Sequence, residues 1–267
     1  MMCLSYIEQK NTFWWLKLNG LLRYALSHTC SGMLPLYIVN EYPKSGGSWV
    51  AQMLSEILEV PFPRNRLPML RSSIAHGHFR HTWNMHNVVN VWRDGRDVMT
   101  SFYFHCTAPN NRFNQGLVSQ TLKDLVFNDV GDVEANLPRF IEYMFEAKKH
   151  PRFTWAEHVD RWNGRPGTIQ VTYEQLRIEP EAHLARVLWE LTGRDPSAER
   201  VRATVERYSF ENQTGRKPGQ ENRLDFLRKG IVGDWKNTFS REAREVFHRY
   251  AGAQLIALGY EQDDSWV

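Results

Sequence analysis

The sequence predicts an α/β fold: a parallel sheet flanked by helices on both faces, in three layers. Two observations carry this. Short β-branched or apolar runs, from Leu36 to Glu41, Asn87 to Trp92 and Gly167 to Thr172, alternate with longer stretches of helical periodicity. The first two runs also lead through a polar turn straight into a helix, the repeated strand–turn–helix arrangement of a sheet buried on both faces.

Each element has its own signals. The stretch Phe13 to Leu26 is apolar but broken by Lys17, Asn19 and Arg23, and falls short of the roughly 20 apolar residues a membrane span needs. Trp14, Leu18, Leu21, Leu22 and Ala25 follow helical spacing, which predicts an amphipathic helix. Such a helix fits against the body of the protein or a partner, or on a membrane surface engaged through residues 13–26. Its charges fall inside the apolar part, a poor match for a signal peptide. After the first strand comes Tyr42-Pro-Lys-Ser-Gly-Gly-Ser-Trp49, then a helix ending near Leu58. Residues 60–71 are Pro-punctuated connection, and Ile74-Ala75 opens into His76-Gly77-His78. The strand 87–92 runs into Arg93-Asp-Gly-Arg-Asp97 and a helix over Val98 to His105.

Further on, residues 107–118 are predicted as a surface loop. Helices are predicted over Leu137 to Lys149 and Trp155 to Trp162. The strand 167–172 ends at Tyr173, and Pro180 opens a helix to about Leu191. Asp195 is the expected N-cap of a helix through Val205, and residues 211–233 show no periodicity. Ser240 is expected to cap a long final helix that stops at Gly259. No linker composition separates parts of the chain. The division expected is an N-terminal amphipathic segment, 1–30, and one domain over 31–267.

The totals exclude several classes. With 267 residues and a net charge of +3, the chain suits a local basic pocket and not a polyanion-coating surface, so no nucleic-acid partner is expected. Cys3, Cys30 and Cys106 are isolated, with no Cys/His spacing for zinc or a disulfide frame. No metal is expected, and a reducing, cytoplasmic compartment, with a peripheral membrane seat as the variant, is the default.

In parallel sheets ligands sit at the carboxyl ends of the strands. Lys44, His78, Arg93 and Tyr173 all follow predicted strands. Small residues turning into a helix leave backbone N–H groups and the positive end of the helix dipole free for an anion. Lys44 adds a cation, and Ser45 and Ser48 add hydroxyls. Arg93 and Arg96 stand ready to hold phosphate by bidentate contacts, or to pair with Asp94 and Asp97 as a structural network. In Leu227-Arg-Lys-Gly-Ile-Val-Gly-Asp-Trp-Lys-Asn237, adjacent cations beside glycines describe a backbone able to close over an anion.

Three of these blocks resemble the signatures of the 3′-phosphoadenylyl-sulfate-dependent sulfotransferases, the cytosolic type in particular. Tyr42 to Trp49 is similar to the family's YPKSGTTW loop, Arg93 to Ser101 to its R-[ND]-x-x-D-x-x-x-S block, and Arg228 to Asn237 to its RKGxxGDWKN block. Trp155-Ala-Glu-His-Val-Asp-Arg-Trp162 also resembles its W-x-x-H-V-x-x-W helix. The order is the family's, over roughly residues 35–260. The resemblance implies a fold like that of P-loop-containing nucleotide hydrolases. It also implies 3′-phosphoadenylyl sulfate (PAPS) as co-substrate, adenosine 3′,5′-bisphosphate (PAP) as product, and no metal.

Residue by residue, the resemblance implies that Lys44 binds the 5′ side and the bridging oxygen. Ser45, Gly46, Gly47 and Ser48 would supply cradle donors, and Trp49 would stack on adenine. Arg93, Ser101, Arg228, Lys229 and Gly230 would hold the 3′-phosphate, with Tyr173 and Phe210 at the adenine. His78 would be the catalytic base, taking the proton of an acceptor hydroxyl or amine; His76 and His81 are its neighbours and competitors. The acceptor is expected to be a small apolar or aromatic molecule, with Phe62, Phe79, Trp83, Phe104 and Phe113 as candidate lining rings.

Four departures stand out. Gly47-Ser48 replaces Thr-Thr, His76 stands where the family usually has Lys, Tyr208 where many members have Thr, and Arg241 disturbs the family's dimer segment. The oligomeric state is therefore left open. Competing readings are a P-loop kinase-like phosphotransferase, opposed by the absence of G-x-x-x-x-G-K-[ST], and a non-catalytic PAPS- or PAP-binding protein.

Overall fold

The computed structural model describes residues 18, 21–29, 31–33, 36–64, 71–80, 84–109 and 114–267. Half of the predicted helix over 13–26 lies outside the described residues, as do His81, Trp83 and Phe113. Helix α1 is described over 21–29. Leu21 and Leu22 are exposed, whereas Arg23 donates to the carbonyls of Arg64, at 2.6 Å, and His76, at 3.4 Å. The rings of Tyr24 and His28 lie against Phe79. No described helix is long and apolar enough to cross a membrane.

Four parallel strands form the sheet among the described residues: β1 (Leu36–Glu41), β2 (Ser73–Gly77), β3 (Val88–Trp92) and β4 (Thr168–Thr172), in the order β2-β1-β3-β4. The α/β architecture is the one expected. Alternating side chains divide the core. Ile38, Val88 and Trp92 face helices α3 (Gly95–Thr107), α5 (Val133–Glu146), α6 (Trp155–Trp162) and α11 (Arg241–Ala257). Val39, Val89, Val91, Ile169 and Val171 face α2 (Gly47–Ile57), α7 (Tyr173–Ile178), α8 (Pro180–Thr192) and α9 (Ala198–Arg207). This is the period-two alternation of a sheet with apolar layers on both sides.

Several ends follow the predicted capping. Ser240 accepts from the amide of Ala243 at the start of α11, and Gly259 takes φ 76° just beyond its end. A capping box not anticipated from the sequence, Thr154 with Glu157, opens α6.

Several boundaries differ. Helix α3 begins at Gly95, three residues before the expected Val98. The stretch expected as a loop over 107–118 already turns into α4 (Gln115–Asp124). Helix α5 begins four residues earlier than expected, because Asp132 caps it by accepting from Ala135 N–H. Ser197, not Asp195, caps α9: its hydroxyl accepts from Arg200 N–H, which leaves Asp195 outside the helix.

Candidate active site

The carboxyl ends of β1, β3 and β4 open on one cleft. Its lining draws on all three sequence blocks, including Lys44, Arg93, Ser101, Arg228 and Lys229. The turn that feeds α2 is built on unusual backbone. Lys44 has φ 75° and Gly46 φ 98°, so the chain passes twice through the left-handed region within three residues. Gly46 tolerates no side chain there: an added Cβ would lie 2.8 Å from Tyr173 Cδ2. The contorted turn brings Lys44 into the cleft, with Nζ 4.0 Å from the centre of the Phe226 ring. Burial, followed by repulsion from Arg93, pulls the Lys44 ammonium down to about 8.

The second block separates its two arginines by role. Arg93 faces the cleft, donates to the Lys44 carbonyl at 3.0 Å, and stacks 4.4 Å over the Tyr173 ring. Its Nε is buried without a hydrogen-bond partner. Arg96 instead turns into the core. It pairs with Asp94 at 2.8 Å and with Glu261, and lies 3.8 Å over Trp235 and 4.7 Å over Trp266. The structural-network reading thus describes Arg96, whereas Arg93 lines the cleft. Asp97, fully buried, accepts from the amides of Gly233 at 2.7 Å and Trp235 at 2.9 Å. It fastens the third block to the first turn of α3.

In that third block Gly230 has φ 64°, and a Cβ on it would come within 2.4 Å of Phe210 Cδ2. The glycine lets the backbone lie against the ring of Phe210, which opens α10 (Phe210–Thr214). Arg228 pairs with Asp234 and Glu221, and Lys229 Nζ with Asp234 at 2.6 Å. Arg228 keeps a buried Nε with no partner. Arg216 staples the segment from below, donating to the carbonyls of Gln220, Leu227 and Arg228 and pairing with Asp225.

Strand β2 delivers the histidines. Parallel register sets His76 beside Val39 and Gly77 beside Asn40. The segment is then pinned from both sides, since Phe79 N–H donates to Asn40 Oδ1 at 2.7 Å and Trp162 Nε1 donates to the Phe79 carbonyl at 3.0 Å. His78 Nδ1 lies 2.9 Å from the carbonyl of Glu41. The outer part of His78 is open to solvent, while its inner edge is bonded to β1. Desolvation on that side lowers its pKa, with Glu41 acting in the opposite direction.

The predicted residues do not all share the lining. Lys44, Gly46, Ser48, Trp49, Arg93, Ser101, Tyr173, Phe210, Arg228, Lys229 and Gly230 line the cleft. Ser45 is buried beneath the turn, the Gly47 amide is taken up by the Glu41 carboxylate at 2.6 Å, and His78 lies outside the lining, exposed and tied to the carbonyl of Glu41. Trp49 meets Tyr173 edge-on at 5.9 Å and donates from its indole to the Tyr208 carbonyl at 2.8 Å. Among the candidate acceptor rings, Phe79 and Phe104 belong to the core, and Phe62 lies against His76. Phe226 and Glu41 escaped the sequence reading. The signal for Phe226 was an aromatic two residues before Arg228. Among the described residues, no group of three or more His, Cys, Asp or Glu side chains is arranged to hold a metal.

Comparison with known proteins places the chain in a family and a fold. The family model described as "Sulfotransferase domain" matches residues 65–259, a match that begins after the β1–α2 turn. Human sulfotransferase 2B1 is 24% identical over 258 residues, covering 81% of this chain and 65% of that protein. Human sulfotransferase 1E1 is 23% identical over 267 residues, covering 82% and 83%. Mouse sulfotransferase SULT7A1, solved with PAP, superposes with a TM-score of 0.64 at 15% identity, over 92% of this chain and 96% of that one. Retinol dehydratase, solved with retinol and PAP, gives 0.53 at 15% identity, over 88% and 85%. The fold is therefore shared with these structures, and with three quarters of its length under the family model the chain belongs to the sulfotransferase domain family.

Proposed function

We propose that this chain moves the sulfuryl group of PAPS to a hydroxyl, or an amine, of a small apolar or aromatic acceptor. The observation that carries the reading is the single cleft where Lys44, Arg93, Ser101 and Arg228 to Gly230 meet, although they are spread over nearly 190 residues of sequence. The donor set fits a bisphosphorylated nucleotide. Cations dominate, two buried guanidinium Nε atoms lack partners, and the aromatic residues Trp49, Tyr173 and Phe210 stand together at one end. Relatives solved with PAP, one with retinol and one with androsterone, support the same nucleotide and an apolar acceptor here.

PAPS supplies the sulfur, and its phosphate oxygen departs as the acceptor oxygen bonds in line. The chain's own groups then have separate tasks. His78, kept neutral by its lowered pKa, takes the acceptor proton on Nε2, because Nδ1 faces a carbonyl. Lys44 offsets charge on the departing oxygen, and Arg93, Ser101 and Arg228 hold the nucleotide in line.

The reading is tested by incubating the protein with ³⁵S-labelled PAPS and a panel of phenols and apolar alcohols. Labelled sulfate ester is expected with the native protein. His78→Ala should lose about 10²–10⁴-fold of it while PAP still binds. Undiminished transfer by His78→Ala would remove the base assignment, and PAP that fails to bind the native protein would remove the reading itself.

A further inference from the structure

Glu41 ends β1, and its side chain folds back beneath the turn with only 5% of its surface exposed. One carboxylate oxygen accepts the Gly47 amide at 2.6 Å, the first amide of α2. The other lies 2.8 Å from His76 Nε2, and the main-chain carbonyl of the same residue lies 2.9 Å from His78 Nδ1. Burial pushes the Glu41 carboxyl up, but the hydrogen bond and charge of His76, then His78 and the Gly47 amide, hold it below the ordinary carboxylate range.

An ionised carboxylate and a carbonyl only accept hydrogen bonds, so the ring nitrogen facing each carries the proton. Glu41 thereby assigns both imidazoles. His76 is tied through Nε2–H, and His78 through Nδ1–H, which leaves His78 Nε2 as a lone pair. Gly47 belongs to the same unit. A Cβ at that position would lie 2.7 Å from Glu41 Cδ and 3.0 Å from its Cγ, so any side chain there expels the carboxylate. Glycine at 47 and histidine at 76, two separate departures from the family pattern, meet on one glutamate.

We infer that Glu41 is a positioning residue of the transfer reaction: its side chain anchors His76, its main chain presents His78 Nε2 to the acceptor, and both are locked to the start of the anion cradle. This rests on the sulfuryl-transfer reading for its kinetic consequences, but not for the arrangement of protons. A glutamine at 41 keeps the shape, but with its oxygen on the Gly47 amide it turns an N–H towards His76 Nε2, which can accept only if the His76 proton moves to Nδ1. The proton arrangement that Glu41 imposes on His76 is then lost.

Two measurements test the inference. In the first, imidazole ¹⁵N shifts of the ligand-free protein are recorded at pH 8. His76 should carry its proton on Nε2 and His78 on Nδ1. In Glu41→Gln the His76 assignment should change, while that of His78, held by the main chain, should not. An unprotonated His76 Nε2 in the native protein overturns the proposal, and needs no variant to fold.

The second is a double-mutant cycle in the sulfate-transfer assay. Glu41→Gln and Gly47→Ala should each lower kcat by about tenfold or more, with the acid limb of the pH profile displaced. Gly47→Ala should cost nothing further in a Glu41→Ala background, because the side chain it collides with is gone. Equal costs of Gly47→Ala in both backgrounds would overturn the coupling. The expected ¹⁵N pattern without transfer under any condition would uphold the Glu41 arrangement and remove the sulfuryl-transfer reading instead.

Discussion

In the proposed transfer Lys44 and His78 have opposite requirements: the surroundings favour the neutral imidazole of His78, and they lower the Lys44 ammonium while leaving it largely protonated at neutral pH. A base must be neutral to accept a proton, and desolvation lowers the His78 pKa. A group that offsets charge on a leaving oxygen must be protonated, and Lys44 sits at about 8. The sign of each limb follows. As pH falls, kcat/KM should drop only below the ordinary imidazole value of about 6.5. As pH rises, it should drop again near the Lys44 value, because the neutral amine no longer offsets charge. Lys44→Arg, whose guanidinium does not titrate in this range, should retain part of the activity and lose the alkaline limb. A profile for Lys44→Arg that still falls near pH 8 would assign that limb to another group. At this scale the sequence showed types but not partners. Lys44, Arg93 and Arg228 were legible from their blocks. That Arg96 would turn inward onto Trp235 and Trp266 was not, because Asp94 and Asp97 offer either arginine the same local pairing, and only the tertiary fold decides between them.

Elements were legible where a cap and a period agreed. Strand β1, α6, α8 and α11 lie within a residue or two of their expected bounds, each marked by a β-branched run, a sequence block, an initial proline or a serine cap. Helix α9 was displaced because Asp195 and Ser197 are both competent caps two residues apart, and the hydroxyl of Ser197 reached the Arg200 amide. The link between α3 and the glycine-rich segment after Arg228 was invisible, since the partners of Asp97 are backbone amides 136 and 138 residues away. That link carries a prediction. Asp97→Ala leaves the Gly233 and Trp235 amides buried without an acceptor, a loss of about 2–4 kcal/mol in unfolding free energy. It should also loosen the segment bearing Arg228 and Lys229, so PAP affinity should fall by about tenfold or more. Chemical denaturation and calorimetric titration measure the two effects. Native PAP affinity in a destabilised Asp97→Ala protein would show that the segment is held from elsewhere.

At the scale of the molecule, a parallel sheet in the order β2-β1-β3-β4 gathers three distant blocks at one edge, where the cations of the cleft differ in how they are paired. Arg228 is paired with Asp234 and Glu221 and Lys229 with Asp234, whereas Arg93 has the Asp97 carboxylate only at 3.7 Å and lies close enough to Lys44 to repel it. A nucleotide with phosphates at both ends satisfies the two halves together. It would relieve the repulsion between Lys44 and Arg93 and add contacts to the segment whose Gly230 already lies against Phe210. Because such a ligand binds only the folded chain, it adds about 2.7 kcal/mol at a concentration 100-fold above its dissociation constant. For a domain of this size that corresponds to a rise of about 5–10 °C in melting temperature. PAP should therefore raise the melting temperature in a concentration-dependent way without added magnesium. Adenosine 5′-phosphate, which lacks the 3′-phosphate, should need a far higher concentration for the same shift. Equal shifts from the two nucleotides would mean that Arg93, Ser101 and the Arg228 segment do not hold a 3′-phosphate. A requirement for magnesium, together with a preference for ATP, would move the chemistry of the cleft from sulfuryl to phosphoryl transfer.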